Sequence, residues 1–140
     1  MTGTAILLVE DEFLIAAMIE EPLVEGGFEV VPVGNGAKAL AELDVDASRF
    51  RALVTDIRLG KGPDGWEIAR RARELVPGIP VVYVSGDSAP DWTSKGVPDS
   101  VMVVKPFAAA QIVTALATLI TDAERHALVE RGGPSPPDGQ

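Results

Sequence analysis

The sequence contains no cysteine. That excludes disulfides, a thiolate nucleophile and any cysteine-based metal site. Its single histidine, His126, excludes a multi-histidine metal centre and reads as a surface residue on a late helical turn. Basic side chains are scarce: 12 Lys and Arg stand against 21 Asp and Glu, for a net charge of −9. Such a chain lacks the basic footprint that nucleic acid phosphates require, so no nucleic acid partner is expected. No apolar run approaches the roughly 20 residues of a membrane span. The N-terminus has no basic segment leading into a long apolar stretch, so no secretion signal is read. A cytoplasmic protein without a membrane partner is expected. There is no P-loop and no glycine-rich dinucleotide fingerprint.

What is present is a regular alternation of apolar runs and helical patterns. The 140 residues show no internal repeat and suit one domain, long enough to bury about two-thirds of its unfolded surface. Thr4 to Val9 is continuously apolar, the pattern of a strand covered on both faces. A helix is predicted from about residue 12 to 25, with Ile15, Met18, Ile19 and Leu23 inward and a kink or loosened turn at Pro22. Phe28 to Val33 is a strand whose Pro32 favours a sheet edge. Asn35 is a candidate cap for a short helix over about 36–43. Phe50 to Thr55 is the third strand, and Asp64 a candidate cap for a helix over about 65–75, with Trp66, Ala69, Ala72 and Leu75 near its inner face. Pro80 to Val84 and Ser100 to Val104 are the last two strands. Between them, two Pro, two Gly and weak helix formers leave room for only a turn or two of helix. A final helix is expected from near Phe107 to about Glu130, with Ile112, Leu116, Leu119 and Ala123 inward. Strands alternating with helices point to an α/β fold, a parallel sheet with helices on both faces. The domain is expected over residues 1–131, followed by a tail, 132–140, that is disordered by composition.

Parallel strands place several reactive side chains on one edge. Glu10 and Asp11 follow the first strand, Asp56 ends the third, Ser85 follows the fourth and Lys105 follows the fifth. Three carboxylates in close contact cannot all stay ionised without compensation. A hard divalent cation removes that cost, and Mg²⁺ suits carboxylates, a carbonyl and waters. A hydroxyl and an ammonium beside the metal suit an arriving anion, and a phosphoryl group fits best. An Asp carboxylate can take up such a group as an aspartyl phosphate. Without a nucleotide-binding loop, the phosphoryl donor must be another molecule.

Leu8-Val9-Glu10-Asp11-Glu12, Asp56 followed by Asp64-Gly65, Val84-Ser85-Gly86 and Val104-Lys105-Pro106-Phe107 resemble the receiver domain of bacterial two-component response regulators, over about residues 4–122. The resemblance implies a flavodoxin-like, doubly wound five-stranded sheet of order 2-1-3-4-5, here with a short or irregular fourth helix. It implies Asp56 as phosphoacceptor. Mg²⁺ would be held by Glu10, Asp11, Asp56 and the backbone carbonyl of Arg58, with Ser85 and Lys105 binding the phosphate. It implies a histidine kinase or histidine phosphotransfer protein as donor. It further implies a stand-alone signalling module rather than an enzyme, as a monomer or a phosphorylation-dependent dimer, with an unidentified protein target. A phosphate sink or relay intermediate would use the same chemistry.

Three positions depart from the family pattern. Gly60 stands where the family usually has Pro, and the loop before Asp64 is one residue longer. Met102 stands where an aromatic switch residue is usual. The segment before the fifth strand is broken by Pro and Gly, so phosphorylation is expected to act by ordering residues 86–98, at about 1–2 kcal/mol per backbone residue. Arg58 and Asp87 each lie two residues past a site residue, and their opposite charges are expected to pair across the mouth and obstruct the hydrolysing water. An aspartate-dependent phosphatase would usually carry a second Asp where Arg58 stands. A flavin carrier would need a phosphate loop where Glu10-Asp11-Glu12 would repel phosphate.

Overall fold

The computed structural model describes residues 3–86 and 89–130; the side chains of residues 89 and 127–130 are outside that description. Asp87, Arg131 and the expected tail 132–140 therefore lie outside the described residues. The chain runs β1 (Ala5–Val9), α1 (Phe13–Glu25), β2 (Glu29–Val33), α2 (Gly36–Asp46), β3 (Phe50–Asp56), α3 (Gly65–Leu75), β4 (Val81–Ser85), α4 (Trp92–Lys95), β5 (Val101–Val104) and α5 (Ala109–Glu130). Single 3-10 turns at Ala47–Arg49 and Ala89–Asp91 precede β3 and α4. The five strands are ordered β2-β1-β3-β4-β5 and all pair in parallel, the flavodoxin-like arrangement. Pro32 sits on the edge strand, as its missing N–H requires.

The register aligns the strand ends that matter. Val9 pairs with Val33 on one side and Thr55 on the other, Asp56 with Val84, and Ser85 with Val104. Glu10, Asp11, Asp56, Ser85 and Lys105 therefore share the carboxyl edge. Strand pleating divides the core into two layers. Leu7, Val9, Phe50, Leu53, Val81 and Tyr83 face α2 and α3. Ile6, Leu8, Val54, Val82 and Val84 face Ile19 and Leu23 of α1 and Ile112, Leu116 and Ile120 of α5. Full burial of one such side chain contributes about 1.5–3 kcal/mol.

Asn35 Oδ1 accepts the Lys38 N–H at 2.8 Å and Asp64 Oδ1 the Glu67 N–H at 3.0 Å, so both expected caps form. Several details differ from expectation. Met18 is 57% exposed, because α1 buries the stripe Ile19 and Leu23 and Met18 lies a quarter-turn away. α1 includes Pro22 and continues to Glu25, with one backbone bond missing at the proline as expected. The bond Pro22 cannot make belongs to the carbonyl of Met18, on that solvent side. α2 extends three residues further than predicted, to Asp46. Leu75 is exposed at the end of α3. In α5 the buried line is Ile112, Leu116 and Ile120, leaving Leu119 and Ala123 half-buried. That helix starts at Ala109 because the Gln111 side chain reaches back to take the Ala108 N–H at 2.8 Å.

The crossover before β5 carries one 3-10 turn and the single turn α4, as its composition predicts. Side chains hold that turn. Tyr83 Oη accepts the Val97 N–H at 3.0 Å, Ser100 Oγ donates to the Val97 carbonyl at 2.6 Å, and Trp92 Nε1 donates to Ser100 Oγ at 2.9 Å. Side-chain hydrogen bonds thus already join residues 92–100, the later part of the segment expected to order on phosphorylation; residues 87 and 88 of that segment lie outside the described residues.

Candidate functional site

The last residues of β3 are fixed from both sides. Thr55, wholly buried among apolar neighbours, satisfies its hydroxyl by donating to the Asp56 carbonyl at 2.8 Å. Beyond the strand, the Ile57 N–H extends the ladder to Val84 at 3.2 Å, and the Gly65 N–H bonds the Ile57 carbonyl at 2.9 Å. A Cβ on Gly65 would stand 2.4 Å from the Asp56 carbonyl oxygen and 2.8 Å from Ile57 Cα. The glycine is therefore what lets α3 start against the Asp56 turn. Gly65→Ala is expected to lower stability by about 1–3 kcal/mol through overpacking. Gly34→Ala, where a Cβ meets nothing within 4 Å, should change it by less than about 0.5 kcal/mol. Equal thermal unfolding midpoints for the two variants would contradict this reading.

At that turn the acids converge. One carboxylate oxygen from each of Glu10, Asp11 and Asp56 lies within 4.8 Å of the others. Glu10 and Asp56 are buried and Asp11 is exposed. Lys105 Nζ donates to Asp56 Oδ2 at 3.1 Å and stands 3.8 Å from Glu10 Oε1. The Lys105 N–H bonds the Ser85 carbonyl at 2.8 Å, locking the end of β5 to the end of β4. The peptide from Lys105 to Pro106 is cis. Ser85 is buried, and with Asp11, Glu12, Asp56, Arg58, Gly86 and Lys105 it lines an open cleft of about 350 Å³.

The electrostatics follow from this crowding. Burial first, and then the adjoining Asp56 carboxylate, push the Glu10 carboxyl from 4.5 up to about 8, against the pull of Lys105. Burial works against the Lys105 ammonium, but the bond to Asp56 and the charges of Asp56, Glu10 and Glu12 outweigh it, so its pKa lies above the usual value. Glu10 Oε2 is buried with no hydrogen-bond partner among the described residues, while Oε1 accepts the Glu12 N–H at 3.3 Å. An orphaned buried carboxylate oxygen beside two further carboxylates fits a hard oxygen-seeking cation such as Mg²⁺. The same cleft offers an ammonium and a hydroxyl to an anion.

Comparison with known proteins agrees with this geometry. The profile of the response regulator receiver domain matches residues 6–117. The chain belongs to the response regulator receiver family. The response regulator receiver protein CpdR of Brucella abortus is 31% identical over 119 residues, which are 82% of this chain and 95% of CpdR. The crystal structure of a response regulator receiver protein from Sinorhizobium medicae is 44% identical with a TM-score of 0.83, over 86% of this chain and 97% of that one. The receiver domain of sensor histidine kinase PA1611 from Pseudomonas aeruginosa, solved with a magnesium ion in its active site cleft, is 25% identical with a TM-score of 0.70, over 86% and 99% of the two chains. The chain spans 34% of the length of the transcriptional regulatory protein TcrA of Mycobacterium tuberculosis, to which it is 35% identical over 89 residues.

In this receiver the structure brings Glu10, Asp11, Asp56, Ser85 and Lys105 together as the sequence spacing predicts. Arg58 is exposed and lines the same cleft. Its expected partner Asp87 lies outside the described residues. Met102 is half-buried on β5, opposite Tyr83. His126 is exposed. Thr55 and Tyr83 went unread in the sequence, although a hydroxyl inside an otherwise apolar strand is itself a signal that it must find a bond.

Proposed function

We propose that this receiver is a phosphorylation-controlled binding module, not an enzyme, in which Asp56 accepts a phosphoryl group from a histidine kinase or histidine phosphotransfer protein. The observation that carries the reading is Lys105 Nζ held 3.1 Å from a buried Asp56 carboxylate that stands within 4.8 Å of two further acids. An Asp56 oxygen forms the new bond to phosphorus as the bond from phosphorus to the donor imidazole nitrogen breaks. Glu10, Asp11, Asp56 and the Arg58 carbonyl would hold Mg²⁺, which supplies positive charge to the phosphoryl oxygens when bound. Lys105, bonded to Asp56 beforehand, turns to the arriving oxygens, and Ser85 donates a hydrogen bond to one of them. Arg58 stands where an aspartate-dependent phosphatase would need an acid, which supports a module that holds its phosphoryl group.

The donor must bring a histidine to the cleft, and the surface beside it is apolar. Phe13 is 82%, Leu14 75% and Met18 57% exposed along the first turns of α1, directly after the acids. Such a patch marks an interaction site, and the donor's histidine-bearing surface is its occupant in this reading. Replacing Phe13 and Leu14 together with Ala is expected to slow transfer from a phosphorylated kinase by about tenfold or more. Labelling by acetyl phosphate, a small donor that needs no docking face, should be unchanged. Equal slowing with both donors would reject the docking role, and no transfer to the wild type from any phosphorylated histidine protein would reject the donor class.

A further inference from the structure

Position 102 carries no aromatic side chain, so the state of Asp56 needs another way to the surface. A contiguous set of contacts leads there. Gly65, against the Asp56 carbonyl, begins α3, and the next residue is Trp66. The Trp66 and Tyr83 rings lie 4.7 Å apart at 58°. Tyr83 is wholly buried, and strand alternation puts its side chain on the same face of β4 as Ser85. Tyr83 thus meets the phosphoacceptor turn through one neighbour and the phosphate-binding hydroxyl through its own strand.

From Tyr83 the path continues outward. Its hydroxyl holds Val97, whose carbonyl holds Ser100, whose hydroxyl holds the Trp92 indole. Trp92 lies over Gly96, where a Cβ would stand 2.3 Å from its ring, and Trp92 is 36% exposed. The turn from Trp92 to Lys95 is too short to be stable as a helix by itself. These three side-chain hydrogen bonds and the packing of Val97 in the core hold it, and among the described residues the bond to Tyr83 ties it to β4. An open pocket of about 440 Å³, whose lining includes Arg58, Trp66, Asp91 and Lys95, adjoins this body.

We infer that residues 92–100 form one hydrogen-bonded body hung on Tyr83, and that this body, presenting Trp92, reports the phosphorylation state of Asp56 at the surface in place of a side chain at position 102. The inference rests on Asp56 being the phosphoacceptor. Close packing carries a displacement of the Ser85 end of β4, or of the Asp56 turn, to Tyr83. The Tyr83 hydroxyl passes it to Val97, and the body moves with its indole. A chain of contacts becomes a coupling only when its links are shown to matter, and each link here can be cut separately.

The test is NMR of the full chain with Mg²⁺, with and without beryllofluoride, following the Trp92 indole N–H and the Ser85 and Lys105 amides; Trp92→Phe assigns the indole signal. In the wild type and in Met102→Ala, all three signals should shift on adding beryllofluoride. In Tyr83→Phe the amides should still shift and the indole shift should be lost. Ser100→Ala should lose it too and Ser100→Thr restore it, which keeps the test decisive if Tyr83→Phe does not fold. Amides that move in the wild type while the indole stays still overturn the inference and leave the phosphoacceptor reading standing. So does an indole shift that survives in Tyr83→Phe and Ser100→Ala, or one abolished in Met102→Ala. Amides that do not move in the wild type overturn both.

Discussion

Replacing Asp56 with Asn is expected to lower acyl phosphate formation by about a hundredfold or more, the scale of loss when a nucleophile itself is removed. The amide has nearly the same shape but no anionic oxygen to attack phosphorus. Folding should survive, because the change removes a buried charge from a crowd of acids rather than creating one. Asp56 is 6% exposed, so the neutral amide of similar shape spares the cost of burying a charge there. It also replaces the charged acceptor that holds Lys105 at 3.1 Å with a neutral amide oxygen, so the ammonium should be held less tightly. Asp11→Ala leaves the nucleophile in place and removes one of the three clustered carboxylates. Losing even an outer partner of a metal ligand costs about 10–100-fold in affinity, so this change should cut labelling by at least about tenfold. Unchanged labelling of Asp56→Asn by radioactive acetyl phosphate would contradict the assignment.

The second large effect is on pH. In the metal-free protein Glu10 holds a proton that the unfolded chain has released, since its pKa rises from 4.5 to about 8 on folding. The native state then binds more protons than the unfolded one across that window. This stability is fully present below the lower value, falls as pH rises across the window and levels off above the upper one. A cation at the cluster must displace this proton. Mg²⁺ affinity is therefore expected to rise by about tenfold per pH unit from about pH 6 to about pH 8, and then level off. Calorimetric titration at several pH values reads this slope. Glu10→Gln, which carries no titrating proton, should bind Mg²⁺ more weakly at high pH and show a much flatter dependence. A wild-type affinity independent of pH would show that Glu10 is ionised before the metal arrives.

Much of this molecule could be read from sequence because its signals are local. Strands buried on both faces appear as apolar runs, and parallel pairing then sends every strand-end acid, hydroxyl and ammonium to one edge. That is why the spacing of Glu10, Asp11, Asp56, Ser85 and Lys105 alone places them at one site. Asn35 and Asp64 were legible for the same reason, since a cap acts within three residues. What escaped depends on packing between distant segments. The periodicity of α1 allows Met18 on either side of its stripe, and only the sheet beneath decides. The start of α5 turns on the Gln111 side chain rather than on propensity. Tyr83 reads as one more apolar strand residue until Val97, 14 positions later, is seen to donate to its hydroxyl. Composition correctly denied the crossover a long helix, but it could not show that Trp92, Gly96 and Ser100 fit together in its place.

The central claim is that Asp56 is the residue that takes the phosphoryl group. Its most direct test is chemical mapping of the modified residue. The full chain is incubated with Mg²⁺ and acetyl phosphate, the acyl phosphate is reduced with borohydride, and the digest is sequenced by mass spectrometry. The expected result is a single reduced residue at position 56, absent when Mg²⁺ is chelated. Reduction at another acid such as Glu10 or Asp11, a stable phosphate on Ser85, or no modification in the presence of Mg²⁺ would contradict it.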